Sequence, residues 1–153
     1  MEKLPGSKSC YVCGTENPIS LKLEFFIVEE GVVRSEFLIS EQYAGYPGMA
    51  HGGNIAAILD EIAGRALTTD DPSRFMVTSE LKIKYLHPVP TNTPLVAIGK
   101  TVKKRGRTAV AHSQLNDLRG LVLAECDAFF VDVTEKITQG LDPEAVGWKV
   151  YDE

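Results

Sequence analysis

An α+β domain, with one antiparallel sheet packed around one long helix, is the architecture this sequence predicts, and three features predict it. One window, from about Gly53 to about Thr68, is apolar at helical spacing. Four strand-like runs follow it, Phe75–Leu86, Leu95–Lys103, Thr108–Leu115 and Leu121–Val133, with Gly106 and Asp117/Gly120 at their turns. Two shorter runs precede it, so the order reads β-β-α-β-β-β-β.

Residues 1–18 carry Gly, Pro and Cys and read as loop. Leu21–Val28 and Val32–Ile39, rich in β-branched and aromatic residues, form a predicted hairpin across Glu29-Glu30-Gly31. Residues 41–48, with two glycines and a proline, read as loop. In the helix, Ile55, Ile58, Leu59, Ile62 and Ala66 make one stripe. At about 100° per residue, Ala56, Ala57, Asp60 and Gly64 gather on the other side. A face of small residues with one carboxylate admits something close, either a ligand or a second subunit. Asp70-Asp71-Pro72-Ser73 stops the helix. In the run after it, Glu80, Lys82 and Lys84 alternate with Leu81, Ile83 and Tyr85, the period of a half-solvated strand. The tail, 135–153, is polar and has no assigned structure.

The chain has 153 residues, the size of a single domain over 1–153. A net charge of −5 gives no general attraction to nucleic acid or anionic lipid. No apolar run is long enough to span a bilayer, and Met1-Glu2-Lys3-Leu4-Pro5 lacks a signal core, so a cytoplasmic protein is expected. Three cysteines do not make a secreted disulfide framework. Cys10 and Cys13 are compatible with redox chemistry or half a zinc site. Zinc prefers four ligands, though, and no helix follows as a redox motif requires. We read the pair as a structural turn and expect no metal and no cofactor.

The chemistry concentrates in His51-Gly52-Gly53 and the helix it opens. Paired glycines let backbone approach a ligand, and a helix N-terminus presents free N–H groups and a positive dipole end. A developing oxyanion would be stabilised there. Asp60 supplies a base or nucleophile on a segment otherwise almost wholly apolar. His51 either caps the helix or helps hold a carbonyl. Glu61 reads as a surface or interface charge. Lys103-Lys104-Arg105-Gly106-Arg107 is a cationic hairpin tip, either solvated charge or a seat for phosphates. His87 and His112 read as structural, and Ser113 lacks a nucleophile elbow.

Tyr46-Pro47-Gly48-Met49-Ala50-His51-Gly52-Gly53, with Asp60 nine residues after the histidine, resembles the hotdog-fold acyl-CoA thioesterases, their PaaI-like branch most closely. Cys10-Tyr11-Val12-Cys13-Gly14-Thr15-Glu16-Asn17-Pro18 and Tyr85-Leu86-His87-Pro88-Val89-Pro90 are similar to that branch too, and the likeness spans residues 10–133. It implies a hotdog fold and hydrolysis of an acyl-CoA, with coenzyme A entering as part of the substrate. It implies Asp60 as nucleophile or general base, the Gly52 N–H on the thioester carbonyl, and Thr78 placing the water. Substrate contacts are expected at Gly53, Tyr46, Lys104, Arg105 and Arg107. Several relatives carry Asn or Gln six residues before the histidine. Here that position is Gly45, and His51, Tyr43 and Tyr46 are the candidates to replace it.

Nine residues of helix turn about 900° and rise about 13 Å, so His51 and Asp60 cannot easily serve one carbonyl from one chain. Two antiparallel helices can, which supports the homodimeric site that the resemblance implies, and a dimer of dimers is expected. The alternatives are a non-catalytic acyl-CoA sensor and a hotdog hydratase or dehydratase.

Overall fold

The computed structural model describes residues 1–134 and 142–151. Its elements are β1 (Glu2–Lys3), β2 (Phe26–Glu29), β3 (Val32–Phe37), α1 (Gly52–Ala66), β4 (Met76–Tyr85), β5 (Leu95–Arg105), β6 (Thr108–Asp117) and β7 (Val122–Asp132). The strands form one antiparallel seven-stranded sheet in the order β1-β2-β3-β5-β6-β7-β4, and it wraps around α1. This is the hotdog architecture.

The helix lies where its stripe demands. Ile58, Leu59, Ile62, Ala63 and Ala66 are completely buried, and the sheet meets them with Ala97, Ala111, Ala124 and Ala128, also fully buried. Small residues on the sheet let a thick helix come close, and burying the helix's large aliphatics contributes about 1.5–3 kcal/mol each. The closest approach is at Gly99, where a Cβ would sit 2.2 Å from the Ile62 carbonyl oxygen. Two sheet hydroxyls fasten helix carbonyls: Ser113 Oγ donates to Leu59 O at 2.8 Å and Thr101 Oγ1 to Ala66 O at 2.9 Å. Ser113 is therefore a structural hydroxyl. At the hairpin tips Gly106 and Gly120 take φ of +56° and +88°.

Several boundaries differ from expectation. The helix begins at Gly52 and ends at Ala66. Of the run Leu21–Val28 only Phe26 onward pairs with β3. Leu21 and Leu23 instead donate their N–H groups to Tyr11 O and Val12 O, and Lys22 between them has φ +57°. The N-terminal segment around Tyr11 and Val12 has taken that backbone, which no periodicity within the run records. A 3-10 turn, Glu41–Tyr43, opens the 41–48 loop. The expected loop at 1–18 contains β1, paired to β2.

Part of the unassigned tail also packs: Lys149 bridges to Gly6, and Trp148 stacks edge-on to Phe75 with ring centroids 5.5 Å apart. Residues 135–141 and 152–153 of that tail lie outside the described residues.

Candidate active site

The start of α1 is a capped N-terminus. His51 has extended backbone (φ −65°, ψ 137°) and its Nδ1 accepts from the Gly53 N–H at 2.9 Å. Among the described residues the Gly52 N–H meets no acceptor, while Tyr85 Oη donates to the Gly52 carbonyl at 2.9 Å. A helix N-terminus with a donor to spare suits a carbonyl oxygen that gains charge. Asn54 ties the turn down, its Nδ2 donating to Tyr43 O at 3.0 Å and its Oδ1 accepting from Tyr11 Oη. Of the candidates to replace a side chain at Gly45, the His51 ring is nearest, with Cδ2 3.5 Å from where a Cβ would stand. The Tyr43 hydroxyl is spent on Ile19 O at 2.6 Å, and Tyr46 is 77% exposed at the surface.

Asp60 is half-buried on the small-residue face, beside half-buried Ala56, Ala57 and Gly64. Thr78 Oγ1 donates to Asp60 Oδ1 at 2.6 Å. Thr78 lies at a β-bulge, where β4 slips its register against β7 between Thr78 and Glu80. Bulges re-aim side chains. Burial pushes the Asp60 carboxyl above the ordinary aspartate range, the Thr78 hydrogen bond pulls it partly back, and neighbouring Glu61 adds to the rise. The carboxylate opens onto a cleft of about 170 Å³ lined also by Arg74, Phe75, Thr78, Phe130 and Trp148. Gly52 borders a different cleft, of about 270 Å³, with Ile55, Tyr85, His87 and Val89. Eight residues of helix separate the two by about 12 Å along its axis.

Glu61, expected to be a surface or interface charge, is half-buried against the N-terminal segment. One of its oxygens, Oε1, accepts from Arg65 Nε at 2.9 Å and Nη2 at 2.7 Å. Arg65, 5% exposed, also donates to Pro5 O at 2.5 Å and lies between the Phe25 and Trp148 rings, 5.0 and 4.5 Å from their centroids. A buried guanidinium needs such saturation, since an unpaired charge there costs several kcal/mol. The i,i+4 spacing of Glu61 and Arg65 was a signal for this pair. Trp148 and Arg74 carried none.

Cys10 and Cys13 sit in a tight turn beside Glu61, with the Gly14 N–H donating to Cys10 O at 2.8 Å. Hydrogen bonding from Cys13 holds the Cys10 thiol at about 7, while that same bond and burial push Cys13 up. In the cationic hairpin tip, Lys104 pairs with Asp70 at 2.5 Å, and Arg105 and Arg107 are exposed. Arg74 links this tip to the Asp60 cleft, donating to Gly106 O at 3.0 Å and pairing with Asp132 at 2.8 Å.

The thioesterase superfamily model matches residues 47–124, just over half of the sequence, including His51, Gly52, Asp60 and Thr78. The chain belongs to the thioesterase superfamily. A crystallised thioesterase superfamily protein is 28% identical with a TM-score of 0.75 over 82% of this chain, which spans only 61% of that protein. A candidate esterase of Saccharolobus solfataricus is 29% identical over 100 residues, 65% of this chain and 71% of the relative. The E. coli PaaI protein of the phenylacetic acid degradation operon shares the fold, with a TM-score of 0.67 at 17% identity over 74% of this chain and 81% of its own. The hotdog fold and the thioesterase superfamily implied by the sequence motifs thus stand, and the PaaI protein shares that fold. Among the described residues no helix is long and apolar enough to cross a membrane.

Proposed function

We propose that the protein hydrolyses acyl-CoA thioesters at a site built from two copies of the chain, with Asp60 of one facing the Gly52 N–H of the other. The observation that carries this reading is the split geometry. Asp60, with the Thr78 hydroxyl at 2.6 Å, and the unpaired Gly52 N–H border separate clefts of one chain. The small-residue face around Asp60 gives a second helix room to come close, and antiparallel helices would bring the two groups together. Among the described residues β4 ends the sheet, and it carries exposed Val77 and Tyr85, which favours further pairing along its free edge.

In this reading the thioester carbonyl oxygen lies at the Gly52 N–H and the positive end of α1. Asp60 takes a proton from water as the water oxygen bonds to the carbonyl carbon, with Thr78 holding the carboxylate's orientation. The tetrahedral intermediate collapses, the C–S bond breaks, and the coenzyme A thiolate leaves to be protonated. Direct attack by Asp60, giving a mixed anhydride that water then opens, uses the same groups. Arg105 and Arg107, exposed at the tip that Arg74 joins to the cleft, attract the coenzyme's phosphates. No metal or cofactor is needed for either route.

A thiol-release assay across short, long and aryl acyl-CoAs tests the proposal. Asp60→Asn is nearly isosteric and should lose about 10²–10⁴ in rate, the usual worth of a positioned base. Undiminished turnover by that variant removes Asp60 from the chemistry. Tight acyl-CoA binding without any thiol release by the wild type would make the protein a sensor.

A further inference from the structure

The Cys10–Cys13 turn gains a third partner only in three dimensions. Its backbone is folded to present sulfur: the Val12 and Cys13 N–H groups donate to Cys10 Sγ at 3.3 and 3.5 Å. Gly14 makes this possible, because a Cβ there would sit 2.2 Å from Cys10 O. The turn is seated on α1 opposite Glu61, so that both Sγ atoms and a Glu61 oxygen lie within 4.8 Å of one another. A tetrahedral zinc, with Zn–S near 2.3 Å and Zn–O near 2.1 Å, spaces sulfur from oxygen by about 3.6 Å and sulfur from sulfur by about 3.8 Å. The observed Cys13 Sγ to Glu61 Oε1 distance is 3.8 Å. We propose that Cys10, Cys13 and Glu61 bind one thiophilic divalent cation, zinc, with water as the fourth ligand.

Charge supports the assignment. Two thiolates and a carboxylate carry −3, and zinc with the adjacent Arg65 guanidinium carries +3, so the buried cluster is neutral when loaded. Arg65 Nη2, 3.0 Å from Cys13 Sγ and 2.7 Å from Glu61 Oε1, is placed to hydrogen-bond the ligands from outside. Such outer partners orient ligands and strengthen retention of the metal. Loading exchanges protons for metal: Zn²⁺ displaces one proton from each thiol, and two protons leave to solvent. A disulfide at the same pair would need an external oxidant. The site pins the N-terminal segment to the helical turn just after Asp60 and contributes no group that touches the thioester, so metal binding is tested apart from the proposed hydrolysis.

The test is metal content and cobalt spectroscopy of the whole protein, purified reduced and folded by circular dichroism. We expect one equivalent of zinc, replaceable by cobalt with thiolate-to-cobalt charge-transfer absorption and the intense visible bands of tetrahedral coordination. Cys10→Ser and Cys13→Ser should abolish that absorption, and Glu61→Gln should weaken retention against a chelator by at least about tenfold. Should the cysteine variants fail to fold, cobalt titration of the wild type decides alone. Absence of the charge-transfer band in reduced, folded wild type overturns the proposal. So does isolation of the metal-free protein with Cys10 and Cys13 joined as a disulfide, seen as the loss of two hydrogens in the mass.

Discussion

Replacing Gly52 by proline should delete the proposed oxyanion donor while leaving the helix in place. Gly52 occupies the first helical position, where proline is favoured because its missing N–H would have no intrahelical partner. The preceding residue must then be extended, and His51 already is, at ψ 137°. A Cβ at Gly52 would lie 3.6 Å from the Tyr85 ring, an ordinary contact, so Gly52→Ala is the matched control that keeps the N–H. Losing one such donor costs about 10²–10³ in kcat, roughly 2.7–4 kcal/mol. In the thiol-release assay Gly52→Pro should therefore fall by about that factor, with Gly52→Ala within a few-fold of wild type and both unfolding cooperatively near the wild-type temperature. Equal activity of the proline and alanine variants would refute the donor.

The same variant decides whether the site is shared. In a mixed dimer of Asp60→Asn and Gly52→Pro protomers, a cross-subunit arrangement leaves one site with both intact groups and one with neither. Random assembly at equal concentrations then restores about a quarter of wild-type activity, since half the dimers are mixed and each carries one good site. A site contained in one chain predicts no recovery at all. The contrast is between a quarter and the parental background of a hundredth or less, far outside assay error.

The pH profile of kcat/KM should fall on its acid side at a pH above the ordinary aspartate range near about 4, because burial raises Asp60 and only the ionised form accepts a proton. Thr78→Val removes the hydrogen bond that lowers Asp60, so it should move that limb to still higher pH; an unmoved limb would assign it to another group. The raised value also makes ionised Asp60 a cost to the folded state. Asp60→Asn should therefore melt at or above the wild type at neutral pH, with the difference shrinking as acid protonates Asp60, measured by calorimetry across pH. Gly99→Ala puts a methyl 2.2 Å from the Ile62 carbonyl oxygen and should destabilise by about 1–3 kcal/mol or more in denaturant titration.

What could be read from the sequence was whatever local periodicity controls. The α1 stripe and the four long strands after it come from residues whose spacing repeats within the element itself, and the turns at Gly106 and Gly120 need the positive φ that glycine supplies. Leu21–Phe25 shows where that logic stops. Its side chains have strand character, but Tyr11 and Val12 take its N–H groups, a contact between segments whose pairing no repeat encodes. Trp148 is hidden in the same way, reaching Arg65 and the Pro72 carbonyl from a tail with no pattern of its own. Asp60 stood out because a carboxylate among alanines and isoleucines is costly. The Thr78 position came from the family motifs rather than from any pattern in β4.

Asp60 and Glu61 are adjacent acids on one helix, and the fold gives them opposite chemistry. About 100° of helical rotation turns Glu61 toward the N-terminal segment, where Arg65 donates two N–H groups to one of its oxygens. The same rotation leaves Asp60 facing the small-residue side, with a hydroxyl and, among the described residues, no cation as its hydrogen-bond partner. Burial without a counter-charge raises its carboxyl, and a carboxylate with raised affinity for protons is the better base near neutral pH. The Glu61 charge adds to that rise. Any cation brought near Glu61, whether Arg65 or a metal at the cysteine turn, must soften that push. Arg65→Met should therefore raise the acid limb of the rate profile, provided the protein remains folded, whereas a purely structural Arg65 would leave the limb where it is.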